Sequence, residues 1–306
     1  MKQLSLGETN WQVSEIAFGA WRMDALSVDK AVKAIETAYD CGINFVDNAD
    51  MYGKGESEQR FGDALKQSSV KREDLYIQTK AAIVPGKKYD FSREHIMNAI
   101  DGSMKRLGVD YLDSFLLHRP DPLMEPEEVA DIFDDLQQSG KVRHFGVSNF
   151  NPQQFLLVQE SLNQKLLVNQ VQFSLMHTGM IDHGIHSNMA DDRSINHDGE
   201  LIEFSRRMGV TLQAWSPFQY GMFEGVFIDN PDFPELNAEL QKLGEKYGVS
   251  KNAIAAAWIL RHPAKMQVII GTMNPKHIID SCQAADIELT HQEWYDLYFA
   301  AGNDLP

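Results

Sequence analysis

Eight short runs of apolar, β-branched and aromatic residues, separated by segments of helical period, constrain the fold more than any other feature of this chain. They are Val13–Phe18, Ile43–Val46, Leu75–Thr79, Ser114–Leu117, Val142–Val147, Leu167–Val171, Val210–Trp215 and Val268–Ile270. The last seven lack strict polar alternation, as strands buried on both faces do. Between them, Val28–Tyr39 sets Val28, Ala31, Val32, Ile35 and Ala38 on one helical face, and Arg93–Leu107 does so with Ile96, Ile100, Met104 and Leu107. Pro126–Leu136 opens with proline in its first turn, and Gly42, Gly108, Gly140, Gly209 and Gly248 each follow a helical pattern closely, as helix-ending glycines do. Alternating strands and helices predict a parallel sheet. Over 306 residues the average unit is about 38 residues, which suits a closed (β/α)8 barrel. An open doubly wound sheet would need a glycine fingerprint, and in Gly53-Lys54-Gly55 the third glycine is replaced by Glu58. The expectation is an α/β chain: a single (β/α)8 TIM barrel forming one domain over 1–306. A short N-terminal hairpin turning at Thr9-Asn10 would close its floor. A C-terminal helix with Trp294, Leu297 and Tyr298 would pack near its mouth.

The formal charge of −16 argues against non-specific binding to nucleic acid or to an anionic membrane, since both need a basic patch. No run of 18 apolar residues occurs, and the opening MKQLSLGETN has no apolar leader core, so a soluble, cytoplasmic protein is expected. Cys41 and Cys282 stand alone, without a disulfide framework or a CxxC metal motif. His177, His183, His186 and His197 form neither an HxH pair nor an HExxH helix, so no metal is expected. They lie in the polar stretch His177–Gly199, which lacks a helical period and reads as a long loop shaping a site. Glu125–Asp135 reads as the solvated face of a helix.

A barrel of this kind builds its site from the C-terminal ends of its strands. Those ends carry Asp47, Lys80 and His118 after strands two to four, Ser148 and Asn149 after strand five, Gln170 on strand six, and Trp215-Ser216 on strand seven; Tyr52 shares a loop with Asp47. Singly, each has an ordinary explanation: a capping aspartate, a half-buried phenol, a strand-ending histidine, a core tryptophan. Their convergence on one rim outweighs those explanations. A phenol titrates near 10 in water, and an ammonium held beside it by a carboxylate would lower that value and tune it as acid or base.

The run Gly42-Ile43-Asn44-Phe45-Val46-Asp47-Asn48-Ala49-Asp50-Met51-Tyr52-Gly53 resembles the active-site signature of the aldo-keto reductases. Gln78-Thr79-Lys80, Leu116-Leu117-His118-Arg119-Pro120-Asp121 and Gly146-Val147-Ser148-Asn149-Phe150 extend the likeness. Asn169-Gln170-Val171-Gln172, Ala214-Trp215-Ser216-Pro217 and Ile270-Gly271-Thr272 carry it across nearly the whole chain in order. Residues 118–150 are especially similar to a bacterial branch of the family, the YdhF-type oxidoreductases.

The resemblance implies NAD(P)H-dependent reduction of an aldehyde or ketone by direct hydride transfer. The cofactor would be NADPH, with NADH possible, and the partner a small-molecule carbonyl substrate; a monomer is the family default. Tyr52 would be the general acid, tuned by Lys80 and Asp47, with His118 orienting the carbonyl. Gly19, Ala20, Trp21 and Asp47 would join the cofactor site. Ser148, Asn149 and Gln170 would hold the nicotinamide carboxamide, with Trp215 stacked on the ring. Ser216, Phe218, Gly221 and Phe223 would meet the pyrophosphate, and Gly271, Thr272, His277, Asp280 and Ser281 the adenosine end. Many relatives hold a 2′-phosphate with a Lys and an Arg; here those places carry Gly271 and His277, with Lys276 nearby. A second reading is a nucleotide-sensing or regulatory relative with little turnover; the intact Asp47, Tyr52, Lys80 and His118 favour the enzyme.

Overall fold

The computed structural model describes residues 1–222 and 224–305. Eight parallel strands close into a barrel: β1 (Ile16–Gly19), β2 (Phe45–Asp47), β3 (Tyr76–Ala81), β4 (Leu112–Leu117), β5 (Val142–Ser148), β6 (Leu166–Gln172), β7 (Thr211–Trp215) and β8 (Gln267–Ile270). They neighbour one another in chain order, and β8 returns to β1 through Val268, Ile269 and Ile270 opposite Ile16, Ala17 and Phe18. A closed sheet leaves no edge, so these strands can be buried on both faces. The expected (β/α)8 barrel is therefore present.

The crossovers are α1 (Val28–Asp40), α2 (Glu56–Gln67), α3 (Arg93–Leu107), α4 (Pro126–Gln138) and α5 (Pro152–Gln159), then α6 (Gly179–Ile185) with α7 (Leu201–Met208), and α8 (Pro234–Tyr247) with α9 (Lys251–Leu260). Two more helices, α10 (Pro275–Cys282) and α11 (His291–Ala300), follow β8. Gly108, Gly209 and Gly248 cap α3, α7 and α8 in left-handed backbone, which a side chain would strain. Cys41 and Cys282, solitary in sequence, are brought near each other because α1 and α10 pack together.

Three expectations need correction. The run Val13–Phe18 is two elements: Gln12–Ser14 pairs antiparallel with Gln3–Ser5 in the floor hairpin, and the barrel strand starts only at Ile16. The stretch His177–Gly199 is partly helical, containing α6 and a short turn at Asp192–Ser194. It is tied to the C-terminal end of the chain rather than to the mouth. Tyr298 Oη donates to Asp182 (2.6 Å), Arg193 donates to the Gly302 carbonyl (2.7 Å), and buried His186 bonds Asp191 (3.1 Å). Helix α11 packs against α9, with Trp294 stacked on Trp258 at 4.9 Å and their indoles exchanging hydrogen bonds with each other's carbonyls. Neither segment lines the barrel mouth.

The barrel axis is polar. Gln78 Nε2 donates to Asp47 (2.7 Å) and to Gln213 Oε1 (2.8 Å), Gln213 Nε2 donates to Gln267 Oε1 (2.8 Å), and Gln267 Nε2 donates to the Ser14 carbonyl (2.7 Å). All four side chains are buried, so each amide has to find its partner within the barrel. The ladder runs from the floor to Asp47 at the rim and fixes that carboxylate from below.

Candidate active site

At the C-terminal ends of the strands lies a cavity of about 740 Å³. From the expected site it is lined by Gly19, Trp21, Asp47, Tyr52, His118, Ser148, Asn149, Gln170, Trp215, Ser216, Phe218, Gly271, Thr272 and His277. Ala20 and Lys80 are fully buried behind that wall. Gly221 lies outside the lining; its carbonyl accepts from Gln172 Nε2 (2.8 Å), which pins the hairpin Gln219–Tyr220/Gly225–Val226 to the end of β6. Asp280 faces a neighbouring hollow, and buried Ser281 spends its hydroxyl on the His277 carbonyl within α10. Phe223 is outside the described residues.

Asp47 ends β2, and the chain beyond it keeps bonding to β3: the Asn48 N–H reaches the Gln78 carbonyl and the Asp50 N–H the Lys80 carbonyl, each at 2.9 Å. This half-strand carries the backbone to a turn at Tyr52, where Gly53 and Lys54 adopt left-handed φ of 56° and 57°. Asn149 (φ 61°) and Ser216 (φ 51°), also left-handed, lie on the cavity wall. Such conformations cost energy and persist where the surroundings impose them.

Lys80 Nζ donates to both oxygens of Asp47 (2.7 Å each) and to the Asn48 carbonyl (2.8 Å). These contacts hold the ammonium in place beside the Tyr52 phenol. Burial pulls Lys80 down, but Asp47 and the Tyr52 phenol together outweigh it and hold it above its ordinary value. It lies 5.1 Å from the centre of the Tyr52 ring. For Tyr52 the net direction reverses the sequence expectation. Burial is the largest influence and raises the phenol, Lys80 opposes it, and Asp47 adds to the rise. The environment therefore keeps Tyr52 protonated, a form that can give a proton away. The His118 ring stands edge-on to Tyr52 with centroids 5.9 Å apart. Burial first, then Lys80 and Arg119, holds it well below the ordinary histidine range, so it is a neutral imidazole. Its Nδ1 has no partner among the described residues.

The opposite wall carries neutral groups. Ser148 Oγ donates to the Gln170 carbonyl (2.8 Å), Asn149 Nδ2 to Ser148 Oγ (2.8 Å), and Trp215 Nε1 to Asn149 Oδ1 (3.2 Å). Gln170 Nε2 is held by Asp47 (3.0 Å) and Gln213 (3.1 Å), while its Oε1 accepts nothing among the described residues. A primary carboxamide needs an acceptor for its N–H groups and donors for its oxygen; Gln170 Oε1 is such an acceptor, and the Ser148 and Asn149 donors, now spent on neighbouring oxygens, could turn to a carboxamide oxygen beside the indole. The residues therefore fit a nicotinamide.

Sequence reasoning missed the cation next to Gly271. Arg22 lies over the Trp21 ring (4.7 Å) and donates to the Gly271 carbonyl (3.0 Å), while a Cβ at Gly271 would come within 3.1 Å of the Trp21 indole nitrogen. Trp21 and Arg22 thus occupy the room that a side chain at 271 would take. Lys276 is exposed and does not line the cavity. Met51, Ile83 and Arg119 are further wall residues that the strand-end rule did not reach.

Comparison with known proteins agrees with this geometry. The Aldo/keto reductase family model matches residues 15–298, and the chain belongs to that family of oxidoreductases, whose cofactors are NAD(P)H. It is 34% identical to a 6-dehydroglucose reductase of Agrobacterium fabrum, over 98% of each chain. It is also 34% identical to the oxidoreductase YdhF of Escherichia coli, over the full length of both, which matches the expected branch. A putative voltage-gated potassium channel subunit beta of Schizosaccharomyces pombe is 26% identical over 92% of this chain and 87% of its own. Among solved structures, an aldo-keto reductase from Klebsiella pneumoniae in complex with NADPH superposes with a TM-score of 0.79 at 22% identity, covering 97% of this chain and 93% of that one. No helix among the described residues is long and apolar enough to cross a membrane.

Proposed function

We propose that this chain, working as one barrel domain, reduces the carbonyl of a small aldehyde or ketone to an alcohol at the expense of NADPH, or of NADH. The observation that carries the reading is a protonated phenol, Tyr52, set between a buried ammonium and a neutral imidazole on a cavity whose other wall suits a nicotinamide.

Reduced nicotinamide supplies the hydride when bound. Ser148, Asn149 and Gln170 would hold its carboxamide, and Trp215 would give the ring a flat neighbour. Arg22, Thr272 and His277 are the cavity-lining groups available to the phosphates and the adenosine end. Tyr52 gives its proton to the carbonyl oxygen as negative charge grows there, and the fixed charge of Lys80 stabilises the phenolate that remains. The neutral His118 orients the carbonyl oxygen by hydrogen bonding. Asp47 keeps Lys80 in place and charged.

Turnover is what separates this reading from a regulatory relative, and the filled set of Asp47, Tyr52, Lys80 and His118 supports turnover. The test is to mix the protein with NADPH, and separately with NADH, and follow nicotinamide absorbance as aldehydes and ketones are added. Steady loss of absorbance on adding a carbonyl compound is expected. Tight nucleotide binding with no oxidation by any carbonyl compound would instead favour the regulatory reading.

A further inference from the structure

We propose that Arg119 anchors the substrate by an oxyanion, so that the carbonyl compounds preferred by this enzyme carry a carboxylate or phosphate group. The inference rests on the reading above, in that it takes the cavity to be the reduction site. Arg119 lines that cavity directly after His118. Among the described residues its guanidinium makes no hydrogen bond, ion pair or ring contact.

Arg22, the other arginine of the lining, is assigned above to the nucleotide phosphates, and further cations have partners of their own. Lys80 is bound to Asp47, Arg106 to Glu58 (2.7 Å), Lys251 to Asp229 (2.6 Å), and Arg22 to the Gly271 carbonyl (3.0 Å). The acid nearest in sequence, Asp121, accepts instead from the Leu123 N–H (2.9 Å) in its own turn. Unpaired arginines are ordinary on an open surface, where water satisfies them; one turned to a concave wall loses part of that hydration without compensation. The following Pro120 disfavours helical backbone at Arg119. Trp21, Met51 and Ile83, which also line the cavity, carry no charge, and the other guanidinium of the lining, Arg22, lies over the Trp21 ring and is held by the Gly271 carbonyl. A guanidinium presents five N–H donors in a planar fork that suits two oxygens of one oxyanion.

The test compares wild type, Arg119→Met and Arg119→Lys at saturating NADPH on two matched pairs: succinic semialdehyde with butanal, and glycolaldehyde phosphate with glycolaldehyde. In wild type, kcat/KM should favour the anionic member of at least one pair. Arg119→Met should cut that preference by roughly tenfold to a hundredfold, through KM rather than kcat, with Arg119→Lys retaining part of it. Added salt should erode the preference in wild type and leave Arg119→Met unaffected. The pair that responds identifies carboxylate or phosphate as the anion. If Arg119→Met leaves both ratios unchanged while the aldehydes are still reduced, the inference is overturned and the reductase reading survives. If no aldehyde is reduced, the reductase reading fails, and calorimetry with butanoate and butanamide decides the anion site. Butanoate binding that is lost in Arg119→Met supports it, and equal or absent binding overturns it.

Discussion

Asp47 at the open end of the barrel and Asp113 at its floor are built from the same parts. Both are buried to the same degree, at 3% and 2% exposure, and both are bonded to cations. Asp113 accepts from Arg72 (2.7 Å), from Arg143 (3.2 Å) and from the Ile77 N–H (2.9 Å), and the two arginines lie over the Tyr111 ring at 4.2 and 3.8 Å. Its bonds join the starts of β3, β4 and β5, and it does not line the cavity at the other end of the barrel. The Asp47–Lys80 pair touches the cavity and stands behind a phenol. A buried ion pair is therefore no sign of chemistry in itself; the group beside it and the space in front of it decide its use. The floor pair holds strands together, and the rim pair holds a charge in place for Tyr52.

If that contrast is right, substitutions at the two ends should separate catalysis from stability. Lys80→Met should show the largest change: a loss of kcat of about a thousandfold, together with about 3 kcal/mol of stability, because Asp47 is left buried without its counter-charge. Steady-state kinetics and urea unfolding measure the two losses. Asp113→Ala should cost a similar stability, about 3 kcal/mol, since two arginines and a strand N–H lose their acceptor. The folded protein should nevertheless keep kcat within about twofold. A large fall in kcat at unchanged substrate affinity would erase the distinction between the ends.

A smaller effect sharpens the rim side. Asp50, two residues before Tyr52, is pushed up to about 7, chiefly by burial and then by Glu58, against the pull of Arg106. The folded state thus holds a proton that the unfolded chain releases near pH 4. Its contribution makes stability fall as pH rises from about 4 to about 7. Asp50→Asn should remove that slope and stabilise the protein at pH 8 by on the order of 1–2 kcal/mol, with little gain near pH 4. Urea midpoints at the two pH values measure it, and a parallel shift at both would assign the effect to something other than titration.

The rim was legible in sequence because its residues sit in short local motifs at strand ends, where the strand count alone predicts a site. The floor and axis were not. Gln78 and Gln213 lie inside apolar runs and Gln267 just before one, and only barrel closure brings them into one ladder. Arg22 and Arg119 were hidden for a related reason: each lies one residue past a position that the motif already explained. The direction of Tyr52 could not be read either, since it depends on whether burial or Lys80 prevails, which is a matter of packing. The split of Val13–Phe18 at Glu15 follows from the floor hairpin, which takes Gln12–Ser14 away from the barrel.

The central claim is that Tyr52 supplies the proton while the other wall of the cavity holds the nucleotide. The most direct test loads wild type and Tyr52→Phe with NADPH, mixes each with a carbonyl substrate in a stopped-flow instrument, and follows one turnover by nicotinamide fluorescence. Nucleotide affinity should agree within about twofold, and the reduction step should slow by roughly a hundredfold to ten-thousandfold in Tyr52→Phe. A single-turnover rate in Tyr52→Phe close to that of wild type would contradict the assignment of the proton to Tyr52.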